Sequence, residues 1–500
     1  MTAAMIVELG TEKQLSAESI TKADAVKDKA NQAFKDKHYQ QAVDLYTEAL
    51  AINPSSSVLY SNRAFAHIRL EEYGSAMADA SKALECDPQY AKAYYRRGDA
   101  AFALSHFKDA VRDFRAAAKL APRDPDLRRK LSEAERELKR SRFEEALSLP
   151  DDHRVVSDTI ELDDMVIEDT YKGPRMEVDA EGQPYITLGF IKAMLEEFKA
   201  ERLIHKRYAF QIVLEAQRLL KALPSLVEVD VPADKHLTVC GDTHGQFYDL
   251  CHIFALNGLP SEDNPYLFNG DFVDRGSFSL EIIMTLLAFK CLYPDHMHLT
   301  RGNHESKSMN VIYGFYGEVR AKYNSTMVEV FRETFCWLPL GYVLNHKVLV
   351  MHGGLFSRDG VKLEDLRSID RNREPPEEGL MCEMLWSDPQ YEPGRSPNKR
   401  GVGIAFGADV TKRFLEDNGL QLLVRSHEVK EEGYEVAHDG YCITVFSAPN
   451  YCDQMGNKGA FIKFGGADMA PQFTQFSAVP HPAVRPMKYA AGMLGGMMGM

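Results

Sequence analysis

The chain of 500 residues is several times longer than an average domain, which favours two to four folded units. Its composition, with 45% hydrophobic and 26% charged residues, excludes a collagen-like chain and a wholly disordered one. The net charge of -14 argues against a protein that binds polyanions through bulk charge. Residues 1–150 carry a net charge of +1 and the remainder carries -15, so we expect two unlike modules.

The eight cysteines exclude two further classes of protein. No two of them form a Cys-x-x-Cys pair, and in a chain of this length they do not suggest a disulfide framework. None is followed by arginine six positions later, which excludes a phosphatase of the Cys-x5-Arg type. The N-terminal residues lack the basic segment and apolar run of a secretory signal, and no run of about 18 apolar residues predicts a transmembrane helix. We therefore expect a cytoplasmic and nuclear protein.

The first third of the chain repeats with a period of 34 residues. The residues in register are Pro54, Pro88 and Pro122; Ala42, Ala76 and Ala110; Ala49, Ala83 and Ala117; Tyr39, Tyr73 and Phe107; and Ala30, Ala64 and Gly98. Small residues let paired helices approach closely, aromatic residues fill the gap, and proline ends the second helix. The pattern resembles three tetratricopeptide repeats over 23–124, after a flexible N-terminus (1–22) and before a capping helix (125–150).

A helical solenoid is a fold and not an activity, so a passive spacer is one interpretation of the repeats. The resemblance implies another, because the first helices of the repeats carry five residues in the register of a carboxylate clamp. These are Lys27, Asn31, Asn62, Lys92 and Arg96. Ammonium and guanidinium groups neutralise carboxylates, and asparagine amides bind a peptide backbone. The resemblance thus implies docking of the acidic C-terminal tails of heat-shock chaperones, whereas each residue alone would be read as part of a solvated helix face.

A run of acidic residues follows the repeats. Residues 151–170 contain eight acidic side chains and one arginine. Such a run is typical of a solvated connector, so we expect 151–178 to be an acidic linker.

From residue 179 onward, short apolar runs alternate with helical stretches, and several runs end in polar residues. The runs are LTVC-GDTHGQ at 237–246, YLFN-GDFVDRG at 266–276, MHLT-RGNHE at 297–305, VLVM-HGG at 348–354, LLV-RSHE at 422–428 and CITVFSAPNYCD at 442–453. These patterns predict strands that deliver polar residues from their carboxyl ends into one site.

The polar residues after these strands suit two divalent metal ions. The candidate ligands are Asp242, His244, Asp271, Asn303, His352 and His427. Asp271 can bridge two ions with its two oxygens, and the mixed carboxylate, amide and imidazole ligation favours manganese or iron, with zinc or magnesium also compatible. Such a pair of ions would hold an attacking hydroxide in line with a phosphorus atom.

The same motifs resemble those of the metallophosphoesterases, and GDTHGQ, GDFVDRG, RGNHE, HGG and SAPNYC narrow the resemblance to the phosphoprotein serine/threonine phosphatases over 179–485. This resemblance implies a two-domain protein in which the all-α tetratricopeptide solenoid precedes an α/β metallophosphoesterase fold, a calcineurin-like β-sandwich flanked by helices. The implied phosphate-binding residues are Arg275, Asn303, Arg400 and Tyr451. His304 is the implied general acid, oriented by Asp274.

Two other functions fit the motifs less well: a catalytically silent co-chaperone scaffold and a bimetal phosphodiesterase. The intact ligand set argues against the scaffold, and the single histidine at His427 argues against the phosphodiesterase. The resemblance also implies that the repeats inhibit the catalytic domain until a chaperone tail or a fatty acid relieves the block. The Gly- and Met-rich tail, 486–500, does not favour a stable helix.

Overall fold

The computed structural model describes residues 17–147 and 155–484, and the chain divides into two compact units. The first unit is all-helical, and each of its helices packs against the next along the chain. Its helices are α1 (Ala17–Lys35), α2 (Tyr39–Ile52), α3 (Ser57–Arg69), α4 (Tyr73–Cys86), α5 (Ala91–Ala103), α6 (Phe107–Leu120) and α7 (Pro125–Leu147).

The small residues that repeat every 34 positions lie where the helices meet. Ala42, Ala76 and Ala110 are completely buried. A side chain at Gly98 would place its Cβ 2.9 Å from the Phe114 ring, so this position needs glycine. The predicted tetratricopeptide solenoid is confirmed. Helix α1 begins at Ala17, so 17–22 are helical and not an extension of a flexible N-terminus, because Ala23 and Val26 bury one face of this helix.

A ladder of buried ion pairs also links the repeats. Arg63 on α3 makes two hydrogen bonds of 2.7 Å to the carboxylate of Asp79 on α4, and its third nitrogen donates to Thr47 on α2. Arg97 on α5 binds Asp113 on α6 and Ser81 on α4 in the same way, 34 residues later. Each arginine therefore ties the two helices of its own repeat to the second helix of the repeat before.

The second unit contains both strands and helices. Its strands are β1 (Glu177–Val178), β2 (Pro184–Tyr185), β3 (Leu226–Val229), β4 (His236–Cys240), β5 (Tyr266–Phe268), β6 (Met297–Leu299), β7 (Gly341–Leu344), β8 (Val348–Met351), β9 (Asp388–Pro389), β10 (Arg395–Pro397), β11 (Ile404–Phe406), β12 (Leu422–Arg425), β13 (Tyr434–Ala437), β14 (Cys442–Val445), β15 (Gly459–Gly465) and β16 (Pro471–Phe476). Its helices are α8 (Leu188–Lys199), α9 (Lys206–Lys221), α10 (Phe247–Asn257), α11 (Ser279–Leu292), α12 (Lys307–Tyr313), α13 (Phe315–Lys322), α14 (Ser325–Cys336), α15 (Leu363–Arg367), α16 (Leu380–Trp386) and α17 (Ala408–Asn418).

Two larger sheets form a sandwich in this unit. One has the strand order β16-β15-β4-β5-β6 and the other has the order β13-β14-β12-β8-β7-β3. Successive residues of a strand point to opposite faces, so Val239 packs between the sheets and Cys240 packs against the outer helices. The second sheet likewise buries Val350 between the sheets and Met351 under α16 and α17. The predicted calcineurin-like β-sandwich flanked by helices is therefore confirmed.

The described part of the predicted acidic linker is folded onto the second unit, which corrects the expectation of a solvated connector. We call residues 155–178 the docked segment. The Glu333 carboxylate accepts hydrogen bonds from the backbone N–H groups of Val156 and Ser157, and Arg207 donates to Asp163. The docked segment also packs apolar side chains against the helical core; they are Val156, Ile160, Leu162, Met165, Ile167 and Tyr171. These contacts hold the segment because the apolar residues alternate with the acidic ones and face inward.

The described part of the chain continues for eight residues after its last strand. The last strand, β16, ends at Phe476, and Val484 still packs against the helical core. The predicted tail, 486–500, the first sixteen residues and residues 148–154 lie outside the described residues. Among the residues that the structure describes, no helix is long and apolar enough to cross a membrane.

Candidate active site

The carboxyl ends of parallel strands bring the predicted metal ligands together. Strands β4, β5 and β6 are parallel neighbours in one sheet, and β8 and β12 are parallel neighbours in the other. Asp242 and His244 follow β4, Asp271 follows β5, Asn303 follows β6, His352 follows β8 and His427 follows β12. The two sheets therefore contribute ligands from opposite sides of one site, as their packing in a sandwich requires.

Asp271 lies between two groups of nitrogen atoms. Its Oδ2 atom is 3.5 Å from Nε2 of His244 and 3.3 Å from Nε2 of His352. Nε2 of His352 is in turn 3.2 Å from Nδ1 of His427, and Nε2 of His244 is 3.7 Å from Oδ2 of Asp242. Ligands on one ion are separated by about 3 Å when each metal–ligand distance is about 2.1 Å. The spacing therefore fits two ions that share Asp271.

Hydrogen bonds fix the tautomers of two ligand histidines. Nδ1 of His244 lies 3.0 Å from the carbonyl oxygen of Val273, and Nδ1 of His352 lies 2.8 Å from that of Asn269. A carbonyl oxygen only accepts, so Nδ1 carries the proton in both rings. Each Nε2 then presents a lone pair to the site, which is the arrangement found in metal-binding histidines.

The side-chain amide of Asn303 lies among the same groups. Its inward atom is 2.9 Å from Nε2 of His352, 2.9 Å from Nδ1 of His427 and 3.1 Å from Oδ2 of Asp271. With its nitrogen inward the amide would donate to these atoms, and with its oxygen inward it would offer a lone pair to a cation. The mixture of carboxylate, amide and imidazole groups fits divalent metal ions.

Burial sets the protonation states of the site. It raises the pKa of Asp242 to about 8, so this carboxylate needs a nearby cation to stay ionised at neutral pH. Burial lowers the pKa of His244 well below its usual range, and the charges of His304 and Arg275 lower it further. Burial also lowers the pKa of His352. Neutral imidazoles are the form that binds metals.

Several of the site residues have left-handed backbone conformations, which are unusual outside glycine. They are His244 (φ 38), Asp271 (φ 50), Asp274 (φ 71), Arg275 (φ 72) and His427 (φ 71). Two glycines allow the loops to meet: a Cβ at Gly302 would lie 2.2 Å from Oδ1 of Asp271, and one at Gly270 would lie 2.6 Å from the nitrogen of Gly302. Such strain persists only where the surrounding structure holds it, and it is common at active sites.

The predicted general acid and its partner form a buried pair. Nδ1 of His304 lies 2.8 Å from Oδ2 of Asp274. The Asp274 carboxylate also accepts hydrogen bonds from the backbone N–H of Phe315 and the side chain of Asn310. The ring of His304 is perpendicular to that of His244, with 4.7 Å between ring centroids, so the acid lies directly beside the metal ligands.

Two of the remaining phosphate-binding candidates lie close to the ligands. The guanidinium of Arg275 is buried and stacks 3.8 Å above the ring of Tyr313, and its charge acts on His244. The Tyr451 ring is buried 5.2 Å from the His244 ring. Arg400 is half-buried in the turn between β10 and β11, and its contact with phosphate stays a prediction.

Sequence reasoning missed one residue that shapes the centre. Glu305 is completely buried, and its carboxylate accepts hydrogen bonds of 2.8 Å from the backbone nitrogens of Asp271, Phe272 and Gly302. Burial and the Asp271 carboxylate raise its pKa to about 8. The residue belongs to the RGNHE motif, so its place in that motif was the available signal.

In the repeat unit, the structure brings part of the predicted clamp together. The side chain of Asn62 donates to Oδ1 of Asn31, which also accepts from Tyr46. The guanidinium of Arg96 lies 3.5 Å above the Phe65 ring on the neighbouring first helix. Lys92 is exposed on the same helix as Arg96, and Lys27 is half-buried and pairs with Asp24. The peptide-binding role of these residues stays a prediction.

Comparisons with known proteins found similarity to known families in both units. A calcineurin-like phosphoesterase model matches residues 235–431, a PPP5 TPR repeat region model matches 131–228, and a tetratricopeptide repeat model matches 91–124. The chain is 53% identical to serine/threonine-protein phosphatase 5 of Homo sapiens over 96% of the chain and 95% of that protein. It is 55% identical to the protein of the same name from Arabidopsis thaliana over 95% and 98%.

A solved structure gives a further comparison. It is a protein serine/threonine phosphatase from Saccharomyces cerevisiae, which is 42% identical and superposes with a TM-score of 0.59. The match covers 61% of this chain and 100% of the solved chain.

Proposed function

The chain belongs to the serine/threonine-protein phosphatase 5 family, and we propose that it hydrolyses phosphoserine and phosphothreonine in proteins at the cluster around Asp271. One observation carries the assignment to this cluster: Oδ2 of Asp271 lies within 3.5 Å of Nε2 atoms from both sheets of the sandwich. A carboxylate between two sets of ligands can hold two ions close enough together to act on one phosphate group.

We propose that Asp242, His244 and Asp271 hold one divalent ion and that Asp271, Asn303, His352 and His427 hold the other. Manganese or iron suits this mixture of oxygen and nitrogen ligands best. Two such ions would lower the pKa of a water molecule between them and offset the charge of a phosphate group. Metal analysis of the purified protein, together with activity after chelation and re-addition of each metal, tests the identity.

We propose that His304 protonates the leaving alkoxide of serine or threonine. The Asp274 carboxylate accepts a hydrogen bond from Nδ1–H of His304 and thereby stabilises the protonated imidazolium. Nε2 then carries the proton that is transferred, and the hydrogen bonds from Phe315 and Asn310 keep Asp274 in place. Four residues are proposed to bind the phosphate oxygens: Arg275 and Arg400 through charged guanidinium groups, and Asn303 and Tyr451 through neutral donors.

Replacing His304 with asparagine tests the acid role. An alkoxide is a poor leaving group, so a phosphoserine peptide should lose about 100-fold or more in kcat, whereas p-nitrophenyl phosphate, whose leaving group needs no proton, should lose much less. His438→Asn is a matched control, because His438 is a buried histidine whose Nδ1 lies 2.8 Å from the Thr411 hydroxyl outside the site. Equal losses with both substrates would contradict the proposal.

We propose that the repeat unit docks acidic C-terminal tails of heat-shock chaperones through Lys27, Asn31, Asn62, Lys92 and Arg96. The contact between Asn31 and Asn62 and the position of Arg96 above Phe65 support a continuous surface across three first helices. Lys92→Ala and Arg96→Ala should each weaken binding of an acidic C-terminal peptide in calorimetry. Lys82→Ala, at an exposed position of α4, should leave binding unchanged. Unchanged binding in all three variants would contradict the clamp.

We further propose that the repeats limit basal turnover and that a chaperone tail or a fatty acid relieves the block. The near-neutral repeats and the acidic remainder of the chain support an interaction, and deletion of 1–150 should raise basal turnover while retaining the docked segment. Unchanged turnover after the deletion would argue against this regulation.

Finally, we propose a cytoplasmic and nuclear location. The eight cysteines, all within the described residues, form no disulfide, which suits a reducing compartment. Imaging of a fluorescent fusion tests this location.

A further inference from the structure

The guanidinium of Arg425 lies at the centre of a buried network behind the metal ligands. Arg425 is completely buried, at the end of β12 and two residues before His427. It donates to the backbone oxygens of Gly353, which follows His352, and of Ser387, which follows Trp386. The Trp386 ring in turn meets the His427 ring edge-on, with 5.5 Å between centroids. Arg425 thus links the loops of two metal ligands to the segment after α16.

Asp388 extends this network away from the metal ligands. Its Oδ1 accepts a hydrogen bond of 2.6 Å from Nη2 of Arg425, and its Oδ2 accepts one of 3.0 Å from the side chain of Asn398. The same Asn398 amide lies 3.1 Å from the backbone oxygen of Trp386 and 3.3 Å from that of Ile404. Asp388 and Asn398 are both more than nine-tenths buried, so water does not readily replace these hydrogen bonds.

Asn398 therefore closes the turn that contains Arg400. The turn begins after β10 and ends at β11, and Asn398 binds the first residue of β11 from the other side of the turn. The end of the turn next to β11 is also fixed by contacts with Ser387. The Ile404 nitrogen donates to the Ser387 hydroxyl. Gly403 packs so closely that a Cβ there would lie 2.9 Å from the Ser387 nitrogen. Both ends of the turn are thus held against residues 386–388.

We infer that Asp388 and Asn398 are positioning residues that hold the turn carrying Arg400 in register with the metal ligands, through Arg425. The inference rests on the proposed contact between Arg400 and the substrate phosphate. It assigns no contact with substrate to either residue. Loss of the link would let the guanidinium of Arg400 move relative to His352 and His427, which weakens phosphate binding without removing a ligand.

A double-mutant cycle on the full-length protein tests this link, with inorganic phosphate as the probe. Asn398→Leu keeps the approximate shape of the side chain but removes its donors. It should raise the KM for a phosphopeptide and the inhibition constant for inorganic phosphate about tenfold, while metal content stays unchanged. In an Arg400→Ala background the same substitution should change both constants less than twofold, because a residue that acts through Arg400 has nothing left to position.

A second variant and a control keep the test independent of folding. Asp388→Asn retains an acceptor for Arg425 but turns an amide toward Asn398, and it should show the same dependence on Arg400. Asn418→Leu is the control, since Asn418, the last residue of α17, also donates to two backbone oxygens, those of Val361 and Phe414. Asn418→Leu should lower the melting temperature about as much as Asn398→Leu does. It should leave the KM for the phosphopeptide and the inhibition constant for inorganic phosphate unchanged.

The outcomes separate the two proposals. Equal effects of Asn398→Leu with and without Arg400 would overturn the positioning role and leave the phosphate role of Arg400 intact. An Arg400→Ala protein with normal constants would overturn the phosphate role of Arg400 and the positioning role with it.

Discussion

The two units use left-handed backbone conformations for different purposes. In the repeat unit, non-glycine residues of this kind occur at Lys37, Glu71 and Ser105, which are 34 residues apart and lie in the turn between the two helices of each repeat. In the catalytic unit they occur in turns such as Asn345 and Asp439, and also at five residues of the active site: His244, Asp271, Asp274, Arg275 and His427. The turns of the repeats need only a change of chain direction, whereas the active site needs particular side chains in that conformation.

The units also differ in how they bury charge. The repeat unit pairs Asp113 with Arg97 and Asp79 with Arg63, so each buried carboxylate has its own guanidinium. The active site of the catalytic unit instead brings Asp242 and Asp271 together among imidazoles, and the proposed metal ions would offset their charge. Buried charges in the repeat unit therefore contribute to stability through separate ion pairs. In the active site of the catalytic unit, the function depends on a few particular carboxylates. The following predictions test this difference.

The largest effect is expected at the shared carboxylate. Asp271→Asn removes the charge that two ions share, so hydrolysis of a phosphopeptide should fall by about 1,000-fold or more, with loss of bound metal. Kinetic assays with added manganese and elemental analysis measure both. Asp263→Asn, at an exposed carboxylate of the same unit, is the control. Normal activity in Asp271→Asn would rule out the bimetal mechanism.

The boundary between the units gives the next largest effect. A chain that begins at residue 155 keeps the docked segment, whereas one that begins at 179 exposes the core surface under Val156, Ile160 and Met165. The shorter chain should lose about 3–5 kcal/mol of stability because several apolar side chains no longer cover the core. Chemical denaturation of the two chains measures the difference. Equal stabilities would mean that the docked segment is only a connector.

An intermediate effect is expected in the ladder of the repeat unit. Arg97→Leu removes the hydrogen bonds of 2.7 and 3.0 Å that the buried Asp113 carboxylate accepts from Arg97 and leaves it only the longer contact of 3.4 Å with Arg112. The substitution should destabilise the repeats by about 2–3 kcal/mol. Hydrogen exchange should show faster opening of α5 and α6, and the exchange rates of the catalytic unit should not change. Arg115→Leu serves as the control, because this arginine is exposed on the same α6 helix and pairs with the exposed Glu135. Unchanged exchange in α5 and α6 would show that the ladder contributes little.

The smallest effect is expected in a turn of the repeats. Lys37 is exposed and left-handed, so Lys37→Gly should change stability by less than about 1 kcal/mol, in the stabilising direction. Thermal denaturation of this variant measures the change. His427→Gly, the same kind of substitution at a left-handed residue of the active site, should instead abolish activity. A large loss of stability in Lys37→Gly would contradict the view that these turns need only a change of direction.

The sequence predicted most of the fold because its periodicities reflect packing directly. Alanines such as Ala42 and Ala76 recur because only small side chains fit where helices cross. The convergence of the predicted metal ligands was predictable because parallel strands place the residues that follow them at one edge of a sheet, as Asp271 and His352 show.

Other features were not predicted, for physical reasons. The eight acidic residues of 151–170 suggested solvation, but stabilisation of the docked segment comes from the apolar residues between them and from Glu333, far away in the chain. The roles of Glu305 and Asn398 depend on backbone groups, which carry no residue identity in the sequence. Arg63 and Arg97, and their partners Asp79 and Asp113, are each separated by 34 residues, so the ion pairs could have been predicted from the repeat.

The ladder of the repeat unit has two rungs for three repeats. The positions that correspond to Arg63 and Asp79 in the first repeat hold Lys29 and Leu45, which cannot form the ion pair. In a linear array, each repeat opens with a free energy set by its own contacts and those with its neighbours, so the first repeat should open most easily. Lys27 and Asn31 lie on that repeat. A ligand held by them would therefore slow its local unfolding, and affinity at this end would be thermodynamically linked to the folding of helix α1.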